Sequence, residues 1–295
     1  MKIGVCVPNY GENCSRDAIR TIAVEAERSG YDSVWCTDHI LMPKNSGTPY
    51  ERILDSITTL AYLAATTTKL KIGISSLITP MRNPVLVAKQ LATLDNLSNG
   101  RVMLATSAGW NKAEFSHLGS NFHNRGKRLD ESIRLIRDLW SGKKDFESKV
   151  LRQKFHDAIF EPPPVQQRLT MWIGGTSPAA MKRAATLGDG WHPNAQPLDK
   201  FVKIVSDFRQ SSPDAKGKEI SVRIGLNSKA DKAEYLSAQG ERRVMLSSNR
   251  EENGKVMEGL EKLGVSYAVL VPSPDGKTSV TDQVDGLRMI AEDYL

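Results

Sequence analysis

The chain has 295 residues, enough for one large domain or two small ones with a core that needs no disulfides. With 40% hydrophobic and 25% charged residues it has the composition of a soluble globular protein, and no run approaches the roughly 20 apolar residues of a membrane span. A net charge of +6 from scattered basic residues says little for nucleic acid as a partner, and three cysteines without CxxC spacing point to a reducing, cytoplasmic setting.

The N-terminus enters an apolar run at once, Ile3 to Pro8 (IGVCVP), so no signal peptide is expected and the first element is a buried strand. Ile19, Ile22, Ala23 and Ala26 then recur at helical spacing, with Ser15 as cap and Gly30 as stop. Ser33 to Cys36 reads as the second strand, followed by Thr37-Asp38-His39 and a loop, Leu41 to Tyr50, long enough for a lid. A helix is predicted over Leu54–Thr67, a third strand over Leu70–Leu77, and a helix opened by Asn83-Pro84 that runs to Leu97. Val102 to Ala105 is the fourth strand. Asn111 to Arg125 holds a short helix or loop, and Leu129 to Trp140 is an amphipathic helix. The charged and proline-rich stretch 143–168 is read as an insertion, with room for a small hairpin. Met171–Ile173 and Trp191 begin strands five and six, Ile220–Leu226 is the seventh and Tyr267–Val271 the eighth. Helices are expected at Phe201–Phe208, near Val256–Leu263 and at Asp282–Tyr294, and Asp231–Arg250 is expected to be helical but irregular.

Near-continuous apolar strands alternating with helices indicate a parallel sheet covered on both faces. Eight βα units in this length predict a single-domain (β/α)8 TIM barrel over residues 1–295, with an open doubly wound sheet as the alternative.

In such a barrel the active site lies where the strands end. One such end is Met171–Asn194. Its apolar run stops at Gly174-Gly175, followed by Thr176, an N-cap Ser177, Pro178 at the first helical position, and Gly188 as a left-handed helix end. Both an anion site and a plain strand-to-helix turn fit that spacing. His39, beside Asp38, is a candidate acid, base or donor, against the bland reading of a histidine bonded to a loop carbonyl. The two side chains need not pair, since neighbours on a strand point apart. His192 also follows a strand. No histidine has metal-type spacing, so no metal site is expected. Ser107 sits in ATSAG, which lacks the first glycine of a GxSxG elbow, so a serine hydrolase is only a weak alternative. Gly109-Trp110 and Ser75-Ser76 suit either packing or the close approach of a flat ring. With no nucleophile or metal evident, the chemistry is assigned to a bound, phosphate-carrying cofactor.

Four segments in order, SVWCTDH, Arg82–Phe115, RGKRLDESIRLIRDLW and WIGGTSPAAMKRAATLGDGW, resemble the bacterial-luciferase-like flavin monooxygenases and the related deazaflavin-dependent oxidoreductases. The resemblance implies a usually dimeric barrel that holds FMN or coenzyme F420 at the strand ends, with the phosphate at Gly174-Gly175-Thr176-Ser177. It implies a bulge, often with a non-prolyl cis peptide, at or near Ser75-Ser76, pressed on the ring. It assigns His39 as the acid and Asp38 as a coenzyme contact. Ala108, Gly109 and Trp110 are placed on the same cofactor wall. One departure stands out: the sugar-phosphate dehydrogenase branch has a glutamate directly after the glycine that ends strand four, and here that residue is Trp110. That activity is therefore not expected, and the glutamate's proton-transfer role is left unfilled. The expectation is a homodimeric oxidoreductase of a small organic substrate, working by hydride transfer with coenzyme F420 or oxygen activation with FMN. The alternative is a non-catalytic flavin-binding protein.

Overall fold

The structure is a computed structural model that describes every residue except Ala238. In chain order the strands are β1 (Lys2–Cys6), β2 (Ser33–Cys36), β3 (Lys71–Leu77), β4 (Val102–Thr106), β5 (Phe146–Ser148), β6 (Gln153–Phe155), β7 (Met171–Gly174), β8 (Gly190–His192), β9 (Glu219–Leu226), β10 (Glu234–Leu236), β11 (Arg242–Leu246) and β12 (Val265–Val271). The helices are α1 (Arg16–Arg28), α2 (Ser56–Thr66), α3 (Pro84–Leu97), α4 (Lys112–His117), α5 (Arg125–Trp140), α6 (Pro178–Leu187), α7 (Leu198–Gln210), α8 (Arg250–Lys262) and α9 (Val280–Tyr294). Strands β1, β2, β3, β4, β7, β8, β9 and β12 are parallel neighbours in that order, and β12 pairs back onto β1. The sheet closes, so the chain is the expected (β/α)8 barrel and not an open sheet. The insertion at 143–168 carries the hairpin β5–β6. Among the described residues, no helix is long and apolar enough to cross a membrane.

Helix starts follow local chemistry. Ser15 accepts from Ala18 N at 3.2 Å, Asp55 from Thr58 N at 2.8 Å, and Asn83 from Val85 N at 2.9 Å with Pro84 behind it. Asp55 sets the start of α2, so Leu54, expected inside that helix, lies outside it and is exposed.

The barrel interior is filled by Trp35, Trp172, Tyr267 and His192. Trp35 stacks on Trp172 with ring centroids 5.5 Å apart, and His192 stacks on Trp172 at 5.6 Å. Two glycines inside strands make this possible. A Cβ on Gly73 would lie 2.4 Å from the Trp35 ring, and one on Gly4 would lie 2.1 Å from Ser33 Oγ.

Two expectations are corrected. Asp231–Arg250 is not helical: β10 and β11 form an antiparallel hairpin, and β11 joins the upper end of β9 through Met245 and Gly225. Gly240, at φ +74, belongs to a turn, and Val244, Met245 and Leu246 are consecutive buried residues, a strand pattern rather than a helical one. The Tyr235 ring packs where a Cβ on Gly225 would stand, 2.9 Å from that position. Gly188 is extended (φ −88, ψ 166) rather than left-handed. It is glycine for lack of room, since a Cβ would meet Ile173 Cγ1 at 2.7 Å.

Candidate active site

The C-terminal strand ends open into one cavity of about 1130 Å³. It is lined by every residue that the resemblance assigns to the acid or to the cofactor: Asp38, His39, Ser75, Ser76, Ala108, Gly109, Trp110, Gly174, Gly175, Thr176 and Ser177. Ser107 and His192 line it too.

His39 is buried just past β2, and its Nδ1 lies 2.7 Å from Glu114 Oε2. Glu114 also accepts from Ile40 N at 2.7 Å. The sequence puts the carboxylate there by local means. Gly109 (φ +79) turns the chain out of β4, and Asn111 caps α4 by accepting from Ala113 N and Glu114 N. Phe115 then buries itself against Ile78, and Glu114 is left facing His39. Burial pushes the Glu114 pKa up, but the bonds from His39 and from the Ile40 N–H outweigh it and hold the carboxyl below its ordinary value. An ionised Glu114 can only accept, so Nδ1 of His39 carries the proton. Nε2, with no protein partner among the described residues, is the ring nitrogen left for chemistry. Tyr50 stacks on the His39 ring at 4.7 Å and Trp110 meets it edge-on at 5.8 Å. The sequence reading missed Glu114. Its only signal was an acid in the first turn of the short helix after strand four.

Asp38 and His39 diverge, as neighbours on an extended segment do. Asp38 Oδ1 accepts from Ser56 Oγ at 2.7 Å and from Arg82 at 2.6 Å, and Oδ2 accepts from Ile78 N at 2.9 Å. The carboxylate thereby ties the β2 exit to α2 and to the segment after β3. Directly before that segment the Ser75–Ser76 peptide is cis, and the β3–β4 register shifts between Ile74 and Leu77. The bulge expected from the resemblance is at those two serines.

His192 Nε2 lies 2.7 Å from Ser75 Oγ, and its Nδ1 is bonded to Ser221 Oγ. Burial, and after it the nearby Arg223, push its pKa down to about 3, so the ring is neutral at physiological pH. It supports the bulge from below. Arg223, which the sequence reading did not single out, reaches from β9 across the barrel mouth to the Ser75 carbonyl and to Thr37 Oγ1 at 2.8 Å. Among the described residues Ser107 makes no hydrogen bond to a histidine, so the serine–histidine pair that a Ser107 hydrolase would need is not assembled.

The turn after β7 opens towards the same space. Ser177 Oγ accepts from Ala180 N at 3.2 Å, and Pro178 follows at the first helical position. Gly174 faces Ser76 so closely that a Cβ would stand 2.9 Å from its Oγ, and Gly175 has φ +107. Arg125, at the start of α5, lines this end. It donates to the Gly109 and Phe122 carbonyls and stacks on the Phe122 ring, with no carboxylate partner among the described residues. Arg183 also lines it and is paired with Asp130. Bare backbone, hydroxyls, a helix N-terminus and an unpaired guanidinium suit an anionic group such as a phosphate.

The profile of luciferase-like monooxygenases matches residues 1–266. An FMNH(2)-dependent dimethylsulfone monooxygenase of Pseudomonas putida is 30% identical over 215 residues, 72% of this chain and 57% of its own length. An F420-dependent glucose-6-phosphate dehydrogenase of Amycolatopsis mediterranei is 34% identical over 180 residues, 57% of this chain and 50% of its own. Among solved structures, an F420-dependent secondary alcohol dehydrogenase in complex with an F420-acetone adduct superposes with a TM-score of 0.80 over 98% of this chain and 97% of the other, at 20% identity, a likeness of fold. With the profile spanning nearly the whole barrel, the chain belongs to the luciferase-like monooxygenase family.

Proposed function

We propose that this protein is an oxidoreductase that holds FMN or coenzyme F420 and acts on a small organic substrate, by oxygen activation with the first or hydride transfer with the second. The observation that carries the reading is the meeting, in one cavity, of an anion-type turn at Gly174–Ser177, the Ser75-Ser76 bulge and the His39–Glu114 pair. Family membership and the cofactors in the names of the two relatives support it.

The residues present fit such a cofactor. Gly174, Gly175, Thr176, Ser177 and Arg125 would hold its phosphate by backbone, hydroxyl and charge. Asp38, Ser75, Ser76, Ala108, Gly109 and Trp110 form the wall that would face its ring system. When bound, the cofactor supplies two-electron chemistry, and FMN also reaction with oxygen. The chain supplies the rest. His39 Nε2 takes a proton from a substrate hydroxyl or returns one to an oxygen, and Glu114 stabilises the ring while it carries the added charge. Trp110 takes the place where the sugar-phosphate branch has its glutamate, so a sugar phosphate is not the proposed substrate.

The reading includes a cytoplasmic homodimer. Three free, buried cysteines fit the first term, and exposed Leu86 and Leu97 on α3 fit the second, which sedimentation of the purified protein tests.

Fluorescence titration with FMN and with coenzyme F420 tests the central claim. One of them should be quenched at micromolar protein or below, and binding of neither would sink the proposal. Binding without reduction or turnover, unchanged by His39→Ala, would leave a non-catalytic flavin-binding protein.

A further inference from the structure

Buried charges in proteins are normally paired, because an unpaired one keeps the full cost of its lost hydration. Arg223, half-buried in the wall of the cavity, has no such partner. Its side chain lies over the centre of the barrel mouth, bonded only to neutral oxygens, the Ser75 carbonyl and Thr37 Oγ1. Among the described residues it makes no ion pair. The histidine beneath it is neutral and adds no second positive charge.

The other cations around the cavity are accounted for. Arg183 is paired with Asp130, and Arg243 bonds Glu241 at 2.9 Å and Gln239 at 3.2 Å, with its buried Nε lacking a partner among the described residues. Arg52 and Lys277 are exposed at the rim, and Arg125, at the start of α5, is assigned to the anion end beside the turn after β7. Arg223 is left as the cation of the inner cavity that, among the described residues, has no carboxylate beside it and is free to meet one on a ligand. The remainder of its five N–H donors form a planar fork suited to a carboxylate.

What surrounds Arg223 indicates the rest of that ligand. Tyr10, Tyr50 and Tyr235 line the cavity beside it. Tyr10 and Tyr50 meet edge to face at 5.0 Å, and the Tyr10 hydroxyl is already bonded to the Ser273 carbonyl, so Tyr10 offers a ring face rather than a donor. Tyr50 comes from the loop after β2 and Tyr235 from the β10–β11 hairpin, segments outside the strands and turn assigned to the cofactor.

We infer that the substrate of this enzyme is a small organic acid with an apolar or aromatic body, its carboxylate held by Arg223 and its body packed among Tyr10, Tyr50 and Tyr235. The inference rests on the reading of this cavity as a cofactor and substrate site, and it names the substrate class.

The test uses full-length protein saturated with whichever cofactor it binds. Benzoate and benzamide, then cyclohexanecarboxylate and its amide, are titrated while the absorption of the bound cofactor is followed. Each acid should bind about tenfold or more tightly than its amide, as a charge-assisted fork requires. In R223M the preference should fall to about twofold or less, and R223K, which keeps the charge, should retain part of it. Thermal melting of both variants checks that they are folded. Three results would overturn the inference: neither acid binds, acid and amide bind equally to the wild type, or folded R223M keeps the preference. A change confined to the relative affinity for oxidised and reduced cofactor would also overturn it, by assigning the cation to the cofactor. If the wild type binds neither cofactor, the functional proposal fails by itself. Equilibrium dialysis of radiolabelled benzoate against the same protein then decides the acid site separately.

Discussion

His39 Nδ1 stands 2.7 Å from Glu114 Oε2, although the two residues are 75 positions apart in the chain. A carboxylate on one ring nitrogen fixes which nitrogen carries the proton and frees the other for substrate. Glu114 reaches the histidine from α4 rather than from the strand end, and it is buried outside the cavity, so it does not stand in for the glutamate that Trp110 replaces.

Glu114→Gln should therefore act through the histidine. A carboxamide can either donate or accept, so the tautomer is no longer fixed. Turnover should fall by about 10²-fold with little change in cofactor affinity. Nitrogen NMR of the labelled imidazole should show a single Nδ1–H tautomer in the wild type and a mixture in the variant. An unchanged tautomer would refute this role for Glu114.

His39→Ala should cost more, about 10²- to 10⁴-fold in turnover, as loss of a general acid–base does. Cofactor titration should still reach saturation, because the anion turn lies on β7 and α6. Loss of cofactor binding together with turnover would make His39 a structural residue.

Gly174→Ala puts a methyl 2.9 Å from Ser76 Oγ, the movable tip of a side chain, so the fold should survive while the space between bulge and turn is filled. Cofactor affinity should drop by about tenfold or more, an effect of steric and lost-contact origin. Fluorescence titration reads the change, and wild-type affinity in this variant would move the phosphate elsewhere.

Acid should weaken the fold through His192. Its folded pKa, about 3, lies below the ordinary histidine value near 6.5. Between these two values the unfolded chain binds a proton that the native protein does not. Stability is then full above pH 6.5 and declines as pH falls, by up to about 1.4 kcal/mol per unit for one proton. In His192→Asn, the dependence of urea-unfolding free energy on pH between 6.5 and 5 should lose this one-proton slope. An identical slope in both proteins would show that the proton is taken up elsewhere.

Gly73→Ala should destabilise the barrel without touching the cavity. Its Cβ would overlap the Trp35 ring at 2.4 Å, and both neighbours are fixed, one in a strand and one in the Trp35–Trp172 stack. A loss of about 1–3 kcal/mol is expected from overpacking of this kind, read as a lower urea midpoint.

The barrel was legible because its signals are local. Apolar runs of strand length, helix caps such as Ser15, Asn83 and Ser177, and breaks at glycine and proline each act over a few residues. Pairing of the end strands then closes the sheet. The hairpin at 234–246 was not legible. Its polar first strand and irregular spacing carry no clear period, and it is a strand because Gly225 of β9 leaves room for Tyr235 and its upper edge accepts β11. Gly188 was misread for a related reason: helix ends favour glycine for its left-handed freedom, but this one answers to the Ile173 side chain above it.

By itself the sequence determined which residues stand at the strand ends, because chain order and strand spacing place them there whatever they touch. His39, Asp38, the two serines of the bulge and the turn from Gly174 to Ser177 follow from that alone. Only the tertiary structure decided what those residues face, since each decisive contact joins elements far apart in the chain. Closing the barrel brings Glu114 onto His39, Arg82 onto Asp38, His192 under Ser75, and Arg223 across the mouth to the Ser75 carbonyl.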